Sequence, residues 1–413
     1  MIVGVATVAA VSNRWGYRLG GVMTVPLLAV YTFREPLSPL VFAVGTIAAW
    51  AGLWVTREYT LNHGRRVFLV AILTGAFATV GFAYLVAFHT SIGLPFDDAE
   101  VVASIFPGIA AYNLMRLDRE QRLTDILASA GLFTALLSLG VAGLVFLEGR
   151  SPPTPPVVAL PTSDLVTWLG LEPRGEAFEQ IIPDWLAIGL LVADVSIYEA
   201  VRKRYDLRLL GVILVPLLAV FSVRSEVTVL VFAIGALAVF VLVSVVHWIS
   251  LLYGRVLLGI SLALGSCFVL SIGVFTTAQI PGLTLYFIGL FTGVAGYNLH
   301  HVSPPLRAAS VRLSAGLFVV FYLALLVVVD VPSEGLYHGT ELGYTVLGVL
   351  AVGFAARELI SLERSRPSRS AFARASVFAD LDGIDVSGSP LVDGADEPDS
   401  TGERRSTRPQ EES

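Results

Sequence analysis

The sequence predicts an all-α, polytopic transmembrane helix bundle, and three observations carry that expectation. Hydrophobic residues make up 55% of the chain and mean hydropathy is +0.75. Only 15% of residues are charged, against roughly 25% in soluble domains. Apolar runs recur at 37–56, 67–88, 227–249 and 306–329, each long enough to cross the hydrocarbon core as a helix. A chain of 413 residues with this balance cannot hide its apolar surface in an aqueous core. Soluble-enzyme, secreted-disulfide and nucleic-acid-binding classes are therefore excluded. The lone cysteine, Cys267, lies inside an apolar run with no partner for an intramolecular disulfide.

An internal repeat organises the segments. Gly21-Val22 and Val25-Pro26-Leu27-Leu28-Ala29-Val30 recur 190 residues later as Gly211-Val212 and Val215-Pro216-Leu217-Leu218-Ala219-Val220. Arg18 matches Arg208, Arg34 matches Arg224, and Gly64-Arg65 matches Gly254-Arg255. Between residues 17 and 47, 16 of 31 positions are identical at this offset, more than shared apolar composition explains. Tyr112-Asn113-Leu114 matches Tyr297-Asn298-Leu299 at an offset of 185. The expected organisation is a tandem duplication: repeat 1 over 1–147, a proline-rich external linker over 148–183, and repeat 2 over 184–330. An extra span over 331–362 and a tail over 363–413 follow.

Each repeat is expected to hold about six segments. They fall at 1–13, 19–33, 37–56, 67–89, 101–115 and 125–147, then at 184–200, 209–223, 227–250, 256–277, 281–299 and 307–329. With the extra span at 340–361 the total is about 13. The first basic residue, Arg14, follows the first apolar segment, so that segment reads as an uncleaved span. Orientation follows the basic residues. With the N-terminus outside, all but Arg34, Arg150, Arg174 and Arg224 of the 27 fall on the cytoplasmic side. An even number of spans makes the repeats parallel. The second and fifth segments are short, and tilted or full crossings are preferred for them over re-entrant ones. The tail has 11 acidic and 7 basic residues among Ser, Gly and Pro and reads as a disordered cytoplasmic extension.

Soluble-type catalytic signatures are absent: no phosphate loop ending in Gly-Lys-Ser/Thr, no paired CxxC and no HExxH. No catalytic residue, metal site or cofactor is expected. His300-His301, like His63 and His247, reads as interfacial polar residues. The strongest polar constellation is the predicted cytoplasmic loop Gly64-Arg65-Arg66, with Gly254-Arg255 in repeat 2. Glycine permits a tight turn there, and arginine offers a planar fork for carboxylates and phosphates. Asn113 and Asn298 are candidates to bond freed backbone or a substrate amide. Pro26 and Pro216, placed mid-segment, and Pro107-Gly108, opening the fifth segment, are candidate kinks along a pathway. Asp194 and Glu199 are acids in or near the seventh segment, where ionisable groups are functional candidates by default.

These residues together resemble the CapC/PgsC family, the membrane subunit of poly-γ-glutamate synthesis and capsule assembly. The resemblance rests on Gly64-Arg65-Arg66-x-Phe68, Leu73-Thr74-Gly75 and Pro107-Gly108-Ile109-Ala110-Ala111-x-Asn113, in that order and spacing. It covers 1–147 directly and 184–330 through the internal repeat, so the chain looks like a fused double version. Repeat 1 has Asn13-Arg14 where the family carries an acid, a place Glu199 matches in repeat 2. Repeat 2 has Val256 for the second arginine and Thr292-Gly293 for Pro-Gly.

The resemblance implies a non-catalytic subunit in the cell membrane. It would anchor a separate ATP-dependent amide ligase of the CapB/PgsB type, work with other capsule-synthesis membrane subunits, and help move an anionic polyglutamate chain outward. A stand-alone secondary transporter or exporter of a small anionic solute is the alternative. A membrane-bound acyl or glycosyl transferase ranks third, for want of a catalytic acid/base set. The lipid bilayer is the other partner implied; nucleic acid is not.

Overall fold

A computed structural model describes residues 2–60, 65–89, 104–148, 163–172, 182–275, 280, 282–331, 335–337 and 342–366. Among them every regular element is helical. The first half holds α1 (Ile2–Trp15), α2 (Thr24–Arg34), α3 (Ser38–Tyr59), α4 (Arg65–His89), α5 (Phe106–Met115) and α6 (Arg119–Leu147). A short α7 (Asp164–Trp168) comes next. The second half holds α8 (Asp184–Tyr205), α9 (Leu214–Arg224), α10 (Val227–Ser250), α11 (Gly254–Phe275), α12 (Gly282–His301) and α13 (Arg307–Leu326). The last described helix is α14 (Leu342–Ser365).

A helix thus stands in each expected segment, but fewer of them have the length and composition of a span. Eight are long and apolar enough to cross a membrane among the described residues: α3, α4, α6, α10, α11, α12, α13 and α14. About thirteen crossings were expected. The difference lies mainly in half-length helices. α2, α5 and α9 have 11, 10 and 11 residues, a rise of about 15–17 Å against a hydrocarbon core of about 30 Å. Among the described residues these segments are half-helices, too short to cross as straight helices. α1 has only 14 residues. α8 has the length, at 22 residues, but carries Asp194, Glu199, Arg202, Lys203 and Arg204.

The prolines also sit differently from expectation. Pro26 and Pro216 are the third residues of α2 and α9, not mid-helix. A first-turn residue has no intrahelical acceptor for its N–H, so proline there begins a helix without kinking it. Pro107 opens α5 in the same way.

Packing follows one scheme in both halves. α3, α4 and α5 pack on one another, as do α10, α11 and α12, while α2 lies on α6 and α9 on α13. Glycine sets the closest approaches. A Cβ added to Gly75 would lie 2.5 Å from the Gly108 backbone nitrogen, and one added to Gly108 would strike the Ala71 carbonyl. In the second half a Cβ on Gly293 would lie 2.7 Å from Leu262 Cα. Small residues let membrane helices meet backbone to backbone, where van der Waals contact replaces the hydrophobic drive that lipid removes.

The halves interlock. α1 packs on α11, where a Cβ on Gly259 would lie 2.7 Å from that of Ala9. At the centre Tyr31 of α2 and Phe221 of α9 both meet Phe287 of α12, with ring centroids 6.5 and 5.9 Å apart. The outer surface is apolar: Leu230, Ile234, Leu237, Val241, Val245 and Trp248 form an exposed stripe along α10, as a lipid-facing helix requires. Membrane hydroxyls bond their own helix, as Thr32 does to Leu28 O at 2.7 Å and Thr79 to Gly75 O at 2.7 Å.

Part of the expected linker is helical. Ser163 caps α7 by accepting from Val166 N–H at 3.3 Å, and its hydroxyl donates to Phe33 O at the end of α2. Residues 149–162 and 173–181 of that linker, and 367–413 of the expected tail, lie outside the described residues.

Gly108→Val should cost about 1–3 kcal/mol by overpacking the α4–α5 crossing. Gly131→Ala, in open space on α6, should not. Thermal unfolding of the detergent-solubilised protein separates them: a lowered midpoint for the first, an unchanged or raised one for the second.

Candidate functional site

The turn leading into α2 is the starting point. Leu19, Gly20 and Gly21 have φ of 48°, 66° and 129°. Holding Leu19 in the left-handed region costs about 1–2 kcal/mol. Successive N–H groups in such a turn converge on one side and favour an anion. Here the chain supplies one: Asp125 Oδ1, on α6, accepts from Arg18 N–H at 2.7 Å and Leu19 N–H at 2.9 Å. Asp125 is 2% exposed. Hydrogen bonds to a charged acceptor contribute about 1.5–3 kcal/mol each, enough to offset the strain at Leu19.

The end of α5 closes the other side. Asn113 donates Nδ2–H to Gly20 O at 3.1 Å, and its Oδ1 accepts from Arg255 Nη2 at 3.4 Å. Arg255 is the second residue of α11, so the second half reaches into the first. Arg122 donates from Nε to Leu117 O at 3.1 Å and from Nη2 to Met115 O at 3.5 Å. It thereby satisfies carbonyls that a helix terminus leaves open.

The second half carries the same scaffold with other charges. Asn298 donates to Leu210 O at 2.7 Å. Arg307 donates to Val302 O at 3.1 Å and His300 O at 3.5 Å. Ser310 stands where the 185-residue offset puts Asp125's counterpart, and its hydroxyl donates to Arg208 O at 2.6 Å. Leu210 N–H goes to Ser314 Oγ at 3.1 Å.

The first cluster is strongly basic. Arg18, Arg116 and Arg255 act on one another there, with Asp125 and Tyr112 as the opposing groups. Burial first, then the charge of Arg116, pulls the Arg18 guanidinium below the usual arginine range. Arg116 lies over the Tyr112 ring at 5.6 Å. Arg18 Nη1 is buried and makes no hydrogen bond among the described residues. One carboxylate, Asp125, acts on these guanidiniums, and one of its oxygens is already committed to backbone. Such a site suits an oxyanion, carboxylate or phosphate, gripped by planar forks. The described residues hold no group of three or more His, Cys, Asp or Glu arranged for a metal.

The structure brings together only some of the residues singled out from sequence. Asn113 and Arg255 meet. Gly254, with φ of 66°, makes the turn that launches α11 and delivers Arg255. Arg66 is exposed at the start of α4; Gly64 and the Arg65 side chain lie outside the described residues. Asn298 serves the second cluster. Glu199 is half-buried on α8 next to Tyr198, which packs with Leu207 and Leu209. Pro107 and Gly108 belong to the α3–α4–α5 contact and Pro26 and Pro216 to helix starts. Arg18, Arg116 and Asp125 were missed as site residues. The match of Arg18 to Arg208 was a signal for the first, and an acid opening an otherwise apolar segment was one for the last.

Residues 3–123 match the family model for capsule biosynthesis CapC, a stretch that contains Arg18, Asn113 and Arg116 and stops short of Asp125. No curated protein and no solved structure matches the chain.

Asp125→Asn keeps the side-chain volume and removes the charge from two hydrogen bonds. The expected outcome is a loss of about 1–3 kcal/mol together with faster amide exchange at Arg18 and Leu19. Hydrogen-exchange mass spectrometry over residues 16–22 reads the second effect.

Proposed function

We propose that this chain is an integral membrane subunit of a machine that makes and exports a capsule polymer of the poly-γ-glutamate type. The match of residues 3–123 to CapC supports a role in capsule biosynthesis, and the eight apolar helices support a membrane location. The basic cluster of Arg18, Arg116 and Arg255 is the observation that carries the finer reading, because a polyglutamate chain presents one carboxylate per residue. In this reading the cluster faces the cytoplasm, the N-terminus lies outside, and the chain anchors a separate ATP-dependent amide ligase. The ligase supplies the acyl-phosphate chemistry. This chain's arginines hold the growing anion at the membrane and orient it toward the outward path.

The chain is read as a tandem duplication of a CapC-like unit. The matched bonds support this: Asn113 and Asn298 to the turn before the half-helix, and Arg122 and Arg307 to the end of the fifth helix. Duplication also explains how Arg255 of one unit completes the site of the other.

A stand-alone transporter of a small anionic solute is the second reading, favoured by one observation. Asp194 is 0% exposed at the middle of α8, with neither oxygen hydrogen-bonded among the described residues. Buried acids of this kind mark ion pathways in membrane proteins. Anionic solute flux in cells lacking any amide ligase separates that reading from the first.

Arg116→Ala combined with Arg255→Ala should lower polymer made by ligase-containing membranes, supplied with ATP and labelled glutamate, by about tenfold or more. That is the loss of one or two charge-assisted contacts. Membrane insertion should be unchanged. Wild-type polymer yield from the inserted double variant contradicts the assignment of the site.

A further inference from the structure

We propose that Arg208 and His301, with His247 and His300 beside them, form a second oxyanion site that takes carboxylate groups of an acidic chain. This rests on the oxyanion reading of the first cluster and extends it to the other half. Position supports the pairing. The 190-residue offset places Arg208 where Arg18 stands, and the 185-residue offset places Tyr297, Asn298 and His301 where Tyr112, Asn113 and Arg116 stand. Geometry supports it as well. The Arg116 guanidinium lies 5.6 Å from the Tyr112 ring, and the His301 ring lies 4.2 Å from that of Tyr297. A fixed cation in one half is replaced by a titratable one in the other.

The histidines form one cluster. His247 and His300 have ring centroids 4.9 Å apart, and His300 and His301 5.8 Å. His301 Nδ1 faces Tyr297 O at 3.1 Å, and His247 Nδ1 faces Leu252 O at 2.8 Å. A carbonyl only accepts, so each Nδ1 carries hydrogen, and Nε2 of His301 is the atom that takes up a proton. His300 Nδ1 pairs with Ser244 Oγ at 3.0 Å. The charged groups acting on His300 and His301 are Arg208, Arg307 and the neighbouring histidines, and no carboxylate is among them. Free Nε2 atoms alone would also suit a metal. Two nearby guanidiniums oppose a divalent cation and favour an anion, which decides between the two. Serine at position 310, in place of the acid at 125, removes the built-in counter-charge. Each proton gained turns an Nε2 into a charged donor, so anion binding draws protons in and acid strengthens the site.

The test is calorimetric titration of hexaglutamate into the full chain in zwitterionic nanodiscs. It is run at about pH 7.5 and about pH 5, the lower value chosen well below the ordinary histidine value of about 6.5 because Arg208, Arg307 and the neighbouring histidines oppose further positive charge. The proposal expects one hexaglutamate per chain at the higher pH and two at the lower, the second with proton uptake. His301→Gln should weaken the second event by about tenfold, and His301→Arg should restore it at both pH values. A single pH-independent event, or a second event untouched by His301→Gln, overturns the proposal and leaves the first site standing. No binding at either pH overturns both readings. Loss of the second event on doping with phosphatidylglycerol makes a headgroup phosphate the occupant and overturns the carboxylate assignment.

Discussion

Inside a bilayer no water is available to satisfy a free backbone N–H or C=O, so every helix end must find a partner in the protein. The half-helices make this constraint acute. α2, α5 and α9 are about half the length of the hydrocarbon core, so at least one end of each falls short of a membrane face. Polar side chains answer the need. Asp125 takes two N–H groups of the turn before α2, Asn113 takes a carbonyl of that turn, and Arg122 takes carbonyls at the end of α5. Asn298, Arg307, Ser310 and Ser314 do the equivalent work in the second half.

The candidate site is a consequence of that arrangement. Asp125 and Asn113, which finish the turn before α2, stand beside Arg18 and Arg116, and Arg255 arrives there because Gly254 turns the chain into α11. Asn113 links the two purposes, since one end of its amide holds the turn and the other meets Arg255. An anion bound among Arg18, Arg116 and Arg255 would therefore pull on a contact that crosses between the halves. The glycine contacts, Gly75 on Gly108 and Gly293 on Leu262, hold the helices that carry these residues at fixed spacing.

Much of the fold was legible because hydropathy reports burial in lipid directly. The apolar runs marked α3, α4, α10, α11 and α13, and the 190-residue match marked α2 and α9 as equivalents. Half-helices were harder to read. Their apolar composition equals that of a span, and a proline in mid-segment reads as a kink, whereas Pro26 and Pro216 lie in the first turns of their helices. Asn113, Asn298 and Arg255 were legible through the repeat. Asp125 and the turn it holds were not, because a left-handed leucine leaves no composition signature and its partner lies 106 residues away. The Gly-Arg-Arg, Thr-Gly and Pro-Gly pieces stood out as a pattern; only the packing shows that two of them are the places where helices touch.

The most direct measurement is the composition of surface polymer from a strain lacking this chain, beside the wild type and a complemented strain. The polymer is isolated, hydrolysed in acid and analysed for amino acids. The account predicts a glutamate-only polymer in the wild type, its loss in the deletion and its return on complementation. A deletion strain that still displays that polymer contradicts it.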